Sequence, residues 1–388
     1  MPEKRDVRLS NRSGHLREAG ILRALTLKVN ALDDGINLGQ GVCDLEMPEI
    51  LRLAAIASIN KDRATYTNYA GILPIREQIV RRYLDRHGLE YSVDEVVTTT
   101  GASGAFMATL MTLSDADGEI VLFEPFYPYH YTAALLAGMK VKTVPEPAES
   151  GDIDFKRLEE AIGPETRVVV LNTPSNPTGR VWTASELDRL AHLLKGTNTI
   201  VVTDEIYEDL VYDGNVHVPP ATHPLLYDRT VTISGLSKAY SITGWRIGWL
   251  CAPLAMSSAI GPVFDTMSVC APRPLQVAAA TALRDLPESY YTDMRDGYQA
   301  RRDRLHAALR GGGFKVSVPA GAYYMLADYS DRFGNKLNPM DACFRLLDEA
   351  GIAAIPGTIF YSGSPAPVLR FQFAVEDAVI DEVARRLR

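Results

Sequence analysis

Two basic side chains, Lys238 and Arg246, lie eight positions apart in the stretch "ISGLSKAYSITGWRIGW" (233–249), where many neighbours are small. Small residues let backbones approach closely, so a charge among them is either a stray surface group or a group held in a tight site. A partly buried lysine beside a second cation has a lowered pKa, and its amine is then a nucleophile for carbonyl groups. The stretch therefore predicts a lysine that reacts with a carbonyl compound.

The carbonyl that such a lysine most often holds is that of pyridoxal 5′-phosphate (PLP), which imposes further requirements on a protein. An acidic side chain must face the pyridine nitrogen, donors must face the ring hydroxyl, and an aromatic ring should cover the pyridine. An arginine and a helix N-terminus must hold the phosphate. Residues of these types occur in four short segments: Asp204 and Tyr207 in "TDEIY", Asn176 in "NTPSNPTG", Ala102 and Ser103 in "TTTGASGAF", and Tyr127 in "FEPFYPY".

Short β-branched runs alternate with helical patterns through the middle of the chain. This alternation is typical of an α/β domain with a mainly parallel sheet and helices on both faces. Ligands of such sheets collect at the carboxyl ends of the strands, which is where the residues named above fall. The predicted strands are 95–101, 118–125, 166–174, 199–205 and 230–237, and the predicted helices are 102–113 and 183–196.

The pattern changes after about residue 280. Residues 288–314 predict one long polar-faced helix ended by three glycines. Further helical and apolar segments follow, which indicates a second, smaller α+β unit. We expect a large domain over 46–280 and a small domain made of 1–45 together with 281–388.

Composition and charge indicate which classes of partner and which cellular location to expect. The chain has 388 residues and a net charge of −8, which argues against a nucleic-acid or anionic-membrane partner. The N-terminus lacks a signal-peptide core, and no apolar run is long enough for a membrane helix. No metal-ligand spacing occurs among the histidines, so we expect no metal site, and the cysteine pattern leads us to expect a cytoplasmic protein. The cysteines, expected to be reduced thiols without redox or metal spacing, are Cys43, Cys251, Cys270 and Cys343.

Three motifs in fixed order, "SNPTG", "DEIY" and "SKAYSITGWRIGW", resemble the class I/II aminotransferases, which are fold-type I PLP-dependent enzymes. The resemblance extends from "INLGQGVCD" to "VLRFQFA". It implies a fold-type I architecture, with a mainly parallel sheet in the large domain and a smaller α+β domain. It also implies a homodimer with both sites at the interface. The implied reaction moves the α-amino group of an L-amino acid to a 2-oxo acid by a ping-pong mechanism.

The resemblance also assigns roles to individual residues. Lys238 would be the Schiff-base lysine and proton shuttle, and Asp204 and Tyr207 would complete the catalytic set. The substrate carboxylate would lie on Arg370, near Gly41 and Asn176. Residues implied to bind the cofactor are Ala102, Ser103, Tyr127, Asn176, Asp204, Tyr207, Ser237, Lys238, Arg246 and, from the partner subunit, Tyr66.

Each of these residues has a simpler alternative, and the sequence leaves the choice open. Those alternatives are a strand-end cap for Asp204, a turn former for Asn176, core packing for Tyr127, a helix N-cap for Ser103, a surface charge for Arg370, and Tyr69 in place of Tyr66. The sequence also departs from the family pattern. Gly235 stands where many members have a phosphate-binding serine, so we expect Ser237 to replace it. "GVCD" stands where "GEPD" is usual.

The substrate is less well defined by the sequence. "INLGQG" resembles a segment of glutamine–kynurenine and methionine-type aminotransferases, which favours aromatic, thioether or amide side chains. Arg273 in "CAPRPLQ" lies where some members bring a partner-subunit arginine to a side-chain carboxylate, so aspartate stays possible. The same cofactor site also supports β-elimination, as in C–S lyases. A non-enzymatic PLP-binding regulator is disfavoured because those proteins usually carry an added DNA-binding domain.

Overall fold

The computed structural model describes residues 19–43, 45–115, 117–147, 151 and 153–388. Residues 1–18 of the predicted small domain and Asp44 of "GVCD" lie outside the described residues. The strands are β1 Ile36–Asn37, β2 Val96–Thr99, β3 Glu119–Glu124, β4 Lys140–Pro145, β5 Thr166–Asn172, β6 Ile200–Asp204, β7 Thr230–Gly235, β8 Gly248–Cys251, β9 Lys315–Val316, β10 Tyr324–Asp328, β11 Ile352–Ala353, β12 Ile355–Pro356 and β13 Val368–Gln372.

The helices separate these strands along the chain. They are α1 Ala19–Asn30, α2 Glu49–Lys61, α3 Leu73–His87, α4 Gly101–Leu113, α5 Pro128–Leu136, α6 Phe155–Ala161, α7 Ala184–Leu193, α8 Leu254–Ser268, α9 Arg273–Asp285, α10 Glu288–Gly311, α11 Ser330–Phe333, α12 Pro339–Ala350 and α13 Asp377–Arg386.

Seven strands form one sheet in the order β2-β8-β7-β6-β5-β3-β4. Strand β8 runs antiparallel to both of its neighbours, and the other strands run parallel. The prediction of a mainly parallel α/β sheet is confirmed. Strands β4 and β8 were not predicted, because β4 carries two lysines and β8 contains no β-branched residue.

The central strands are apolar on both faces because helices cover both faces of the sheet. Along β5, Val168 and Val170 pack on the side of α4 and α8, whereas Val169 and Leu171 pack on the side of α6 and α7. Successive residues of a strand point to opposite faces, so an uninterrupted β-branched run fills both layers at once. This explains why the runs could be recognised in the sequence.

The remaining strands lie outside this sheet. Strands β12, β13, β10 and β9 form an antiparallel sheet, and β1 pairs in parallel with β11. The long helix α10 ends at Gly311, so the predicted helix over 288–314 exists and is slightly shorter. The domain boundaries at 45/46 and 280/281 stay a prediction. Among the described residues, no helix combines the length and apolarity that crossing a membrane requires.

Candidate active site

Lys238 lies in the turn after β7. Its Nζ donates a hydrogen bond to the Gly41 carbonyl at 3.2 Å, and the side chain is half-buried. The amine also lies 5.4 Å and 5.7 Å from the ring centroids of Tyr323 and Tyr207. The lysine is therefore held in a tight site and is not a stray surface charge.

Two cavities meet at this amine. The first cavity, of about 350 Å³, is bounded by the start of α4 and by the ends of β6 and β7. The second cavity, of about 740 Å³, is bounded by the 39–41 segment, Tyr324 and Arg370. The residues that line both are Tyr127, Tyr129, Asn176, Tyr207 and Lys238.

Asp204 ends β6 and borders the first cavity. Its Oδ2 lies 2.9 Å from His130 Nε2, and its Oδ1 accepts from the Ile206 N–H at 3.2 Å. The His130 ring is stacked on Phe106, with centroids 4.3 Å apart. Asp204 therefore caps the strand end, as the simpler alternative proposed, and also presents a buried carboxylate to the cavity.

The N-terminus of α4 reaches the cavity because two glycines, Gly101 and Gly248, leave room. A Cβ at Gly248 would lie 2.5 Å from the Ala102 nitrogen, and a Cβ at Gly101 would collide with the Arg246 guanidinium. Gly101 has φ +74°, which suits glycine. The first N–H groups of a helix have no intrahelical partners. Together with the Arg246 guanidinium, they form a positive cradle for an anion.

Gly235 cannot carry a side chain here. A Cβ at this position would lie 2.9 Å from Gly248 Cα and from the Ile247 carbonyl oxygen. Ser234 points away, since its Oγ donates to Glu208 Oε1 at 2.9 Å, whereas Ser237 lines the first cavity. The expected replacement of the usual serine by Ser237 is consistent with this arrangement.

Ser103 also lines the first cavity. It lies in the first turn of α4, where the N-cap position belongs to Thr100, which makes no side-chain cap hydrogen bond. The alternative that Ser103 is only an N-cap is therefore wrong. Ser103 instead lines the first cavity at the start of α4.

Arg370 is a buried cation on β13, with 6% of its surface exposed. Its Nη1 donates to Asn176 Oδ1 at 2.8 Å and its Nη2 donates to the Gly39 carbonyl at 2.7 Å. Its Nε has no partner, and no described carboxylate forms an ion pair with it. The alternative of a surface charge is wrong, because this guanidinium is buried and lines the second cavity.

Asn176 is more than a turn former, because its side chain lies between the two cavities. Its backbone N–H donates to Asn172 Oδ1 at 2.7 Å, and Asn172 Nδ2 in turn donates to the Asp204 carbonyl at 3.0 Å. These bonds tie the turn to the end of β6. With its Oδ1 on Arg370, the amide Nδ2 is the donor that remains.

Tyr127 is half-buried and borders both cavities. Its ring meets His130 edge-on, with centroids 5.1 Å apart. Burial raises the pKa of its phenol, which therefore stays neutral. A role limited to core packing is excluded, because the ring faces open space beside Lys238.

Two predicted residues are not brought to the cavities of their own chain. Tyr66 is 81% exposed and lies in the loop before α3. Arg273 begins α9 and lines neither cavity. Both were predicted to act across a subunit interface, so their roles stay predictions.

Residues 33–387 match the family described as aminotransferase class I and II. The chain belongs to this family. Its members are PLP-dependent enzymes that exchange amino groups between amino acids and 2-oxo acids, so the predicted enzyme class is confirmed.

Named relatives of this aminotransferase differ in substrate. The chain is 33% identical to the probable N-succinyldiaminopimelate aminotransferase of Mycobacterium tuberculosis, over 94% of each chain. It is 30% identical to the methionine aminotransferase of Escherichia coli, over 91% of each chain. A solved E. coli structure with a methionine aminotransferase function matches with a TM-score of 0.92 at 29% identity, over 98% of this chain and 99% of that one. The predicted fold-type I architecture is therefore confirmed.

Four residues of this aminotransferase site were missed in the sequence. His130, Tyr323, Tyr324 and Gly39 contact Asp204, Gly41, Tyr207 and Arg370, respectively. His130 follows the recognised Tyr127 by three positions, so the helical spacing of the two was an available signal. The two tyrosines belong to an apolar strand pattern that carries no such signal.

A buried charge cluster was also not predicted. Glu205, Glu208 and His217 bring ligand atoms within 4.8 Å of one another. His217 Nε2 lies 2.8 Å from Glu205 Oε2, and Arg82 Nη2 lies 3.3 Å from Glu208 Oε1. We interpret the cluster as an ion-pair network, since the Arg82 guanidinium in contact with Glu208 opposes the binding of a cation.

Proposed function

We propose that this aminotransferase binds PLP in the first cavity, with Lys238 as the Schiff-base lysine. It would accept L-amino acids with aromatic, thioether or amide side chains in the second cavity. The observation that carries this proposal is the position of the Lys238 amine where the two cavities meet. An amine at that junction reaches both a cofactor carbonyl and a substrate Cα.

The residues of the first cavity fit the chemistry of the cofactor. Asp204 offers a carboxylate for a protonated pyridine nitrogen, and His130 holds that carboxylate from the other side. Tyr207 and Asn176 offer donors to a ring oxygen, while Tyr127 offers an aromatic face. The phosphate would bind at the cradle, whose members are Ala102, Ser103, Ser237 and Arg246.

The mechanism follows from what these side chains can hold and move. When bound, PLP supplies an electron sink and carries the amino group between the two half-reactions. The Lys238 amine would take the proton from the substrate Cα as general base and, as general acid, would return it to the cofactor's aldehyde carbon on the other side of the transferred nitrogen. Asp204 keeps a proton on the ring nitrogen by its negative charge. Arg370 orients the substrate through its α-carboxylate.

The second cavity supports an uncharged donor side chain. Its cations are Lys238 and Arg370, and both already have roles in the proposed reaction. Leu27, Ile355 and Ile359 add apolar surface. A dicarboxylic donor would place its second carboxylate against these groups without a cation, which is costly in a desolvated site. If Arg273 of a partner subunit reached the second cavity, it would supply the missing cation for a dicarboxylic donor. Screening aspartate and glutamate as donors tests this alternative.

We further propose that the enzyme acts as a homodimer. The exposed apolar side chains of α2, at Leu53, Ile56 and Ile59, lie on the same element that precedes the exposed Tyr66. Arg246 is exposed in the single chain, so a partner residue could complete its surroundings. A monomer by light scattering that still turns over would contradict the dimer proposal. Localisation in the cytoplasm stays a prediction.

Spectroscopy tests the proposed function. The full chain incubated with PLP should gain an absorption band of the lysine-bound cofactor, which suitable donors bleach and a 2-oxo acid restores. Lys238→Ala should bind PLP without that band and lose turnover; full activity in this variant would overturn the proposal. Release of pyruvate from cysteine-like donors without consumption of a 2-oxo acid would favour β-elimination instead.

A further inference from the structure

Tyr324 is the first residue of β10, and its side chain contacts Arg370, Tyr207 and the backbone of Gly41. Its ring lies under the Arg370 guanidinium, and its hydroxyl lies against Tyr207 and Gly41. We propose that Tyr324 is a positioning residue with two separable tasks: the ring orients Arg370 for the substrate carboxylate, and the hydroxyl controls the hydrogen bond that Tyr207 donates. This inference rests on the proposed function of the same site.

The ring task follows from how Arg370 is held. Two of its nitrogens are fixed by Asn176 Oδ1 and the Gly39 carbonyl, which constrains the guanidinium at one edge. The Tyr324 ring centroid lies 4.2 Å from the guanidinium carbon, and the Phe360 centroid lies 5.3 Å from it. A flat cation on an aromatic ring is attracted by the ring's quadrupole and keeps its edge free. The Nε is buried and has no hydrogen-bond partner, so it is the guanidinium nitrogen that remains for a carboxylate.

The hydroxyl task follows from a fixed position. A side chain at Gly41 would collide with the Tyr324 hydroxyl, so the 41 backbone packs directly on it. Tyr207 Oη donates to Tyr324 Oη at 3.3 Å. Tyr324 is 2% exposed and lines the second cavity, next to the amine of Lys238. The hydroxyl is thus in place before any substrate enters.

The surroundings shift the pKa values of the Tyr324 and Tyr207 phenols in opposite directions. Burial alone would raise the pKa of Tyr324, but the charges of Lys238 and Arg370 and the hydrogen bonds from Tyr207 and Tyr323 outweigh it, so this pKa is lowered. Burial and the nearby phenols raise the pKa of Tyr207. Tyr207 therefore keeps its hydrogen and donates it, while Tyr324 is the better acceptor. In the loaded enzyme, the cofactor's ring oxygen and Tyr324 would compete for that one hydrogen.

Two substitutions separate the tasks. Tyr324→Phe keeps the ring and removes the hydroxyl, whereas Tyr324→Leu removes both. Tyr329→Phe is the matched control, because Tyr329 is a buried tyrosine just after β10 whose hydroxyl donates to the Leu337 carbonyl and borders neither cavity. All variants are first compared by circular dichroism and PLP content.

The ring task is tested by the binding of 3-phenylpropionate, a carboxylate without an amino group, to the PLP-loaded full chain by calorimetry. We expect the Kd to stay within twofold in Tyr324→Phe and Tyr329→Phe and to rise roughly tenfold in Tyr324→Leu, the size of a desolvated cation–π contact. An unchanged Kd in Tyr324→Leu would overturn the ring task. Failure of the wild-type protein to bind the carboxylate would count against the proposed function instead.

The hydroxyl task is tested by titrating the absorption band of the loaded protein with pH. In Tyr324→Phe, Tyr207 would donate its hydrogen bond to the cofactor's ring oxygen alone. A stronger hydrogen bond favours the anionic form of that oxygen. The midpoint should therefore move to lower pH by roughly half a unit or more, with no movement in Tyr329→Phe. A midpoint that stays fixed or moves upward would overturn the hydroxyl task.

Discussion

Two consecutive carboxylates, Asp204 and Glu205, leave the end of β6 in opposite directions, and each meets an imidazole. The front pair, Asp204 with His130, has an oxygen–nitrogen distance of 2.9 Å, and the rear pair, Glu205 with His217, has one of 2.8 Å. Alternation along the strand places them on opposite faces of the sheet. The front pair lines the first cavity, whereas Glu205 and His217 line neither of the two cavities at Lys238. The same pair of groups is therefore part of a reaction site on one face and of the packed interior on the other.

The rear pair is embedded in further charges. Glu208 lies beside Arg82, and Arg82 also contacts Asp209 at 2.7 Å. Burial lowers the pKa of His217, but the negative charges of Glu205, Glu208 and Asp209 and the hydrogen bond to Glu205 outweigh it, so the pKa is raised. The imidazole is thus stabilised in its charged form. The charged groups of this network contact one another, and Glu205 and His217 line neither cavity at Lys238, whereas the front pair lines the first.

The largest expected effect is on the front carboxylate. Asp204→Asn removes the charge that faces the proposed ring nitrogen and keeps the volume of the side chain. We expect kcat/KM to fall about 10³-fold, within the range of a positioned acid–base group, with a smaller loss of stability than at Glu205, because Asp204 borders a cavity. Steady-state kinetics and urea unfolding measure the two quantities. Retention of more than a tenth of the activity would contradict the role of Asp204.

The rear carboxylate should show the opposite pattern. Glu205→Gln breaks a buried ion pair, and we expect the free energy of unfolding to fall by roughly 3 kcal/mol. Activity per folded molecule should stay within threefold, because the Glu205 side chain lines neither cavity at Lys238. Asp204→Asn is the matched control, since it makes the same chemical change one residue away. Equal loss of activity in both variants would remove the functional distinction between the pairs.

Substitution of His130 and His217 should show the same difference between the front and rear pairs, with smaller effects. His130→Asn should lower kcat roughly 10- to 100-fold, because one hydrogen bond to a charged group is lost, while KM changes little. His217→Asn should leave kcat nearly unchanged and lower the midpoint of urea unfolding. A larger effect on KM than on kcat in His130→Asn would indicate that His130 acts on substrate binding.

Much of the front site follows from the sequence, because its residues directly follow recognisable strands. Asp204, Asn176 and Lys238 come after runs of β-branched residues, and parallel strands bring their carboxyl ends to one edge. Tyr324 and Arg370 could not be placed in the same way. Their strands belong to a separate sheet, and the contact between Arg370 and Asn176 joins residues 194 positions apart. Such a contact depends on how two sheets pack, which no local pattern encodes.

The rear pair was missed for a different reason. Glu205 is visible in "DEIY", but its partner His217 lies in an irregular segment without helical or strand periodicity. Twelve positions separate them, and the loop between them has no motif. Local patterns identify residues on regular elements, whereas a loop that folds back under a strand end is set by tertiary packing alone.

Glu146 is another buried carboxylate, but unlike Asp204 and Glu205 it has no imidazole partner among the described residues. It is 7% exposed and accepts hydrogen bonds from Thr178 Oγ1 at 3.0 Å and Ser175 Oγ at 3.4 Å, both in the turn that holds Asn176. Burial raises its pKa from 4.5 to about 7, and Arg180 and the two hydroxyls offset only part of that effect. Without an ion pair among the described residues, this carboxylate should titrate near neutral pH.

The sign of its contribution to stability follows from the raised pKa. A group whose pKa is higher in the folded state stabilises the fold fully below its unfolded pKa of 4.5, and this stabilisation is lost as the pH rises through about 7. Between pH 5 and 8 the wild-type protein should lose roughly 2 kcal/mol of unfolding free energy from this one group. Glu146→Gln should lack that loss, whereas Glu159→Gln, at an exposed position of α6, should retain it. Urea unfolding at both pH values measures the difference; parallel pH profiles for wild type and Glu146→Gln would show that the hydroxyls of Thr178 and Ser175 keep the carboxylate ionised throughout.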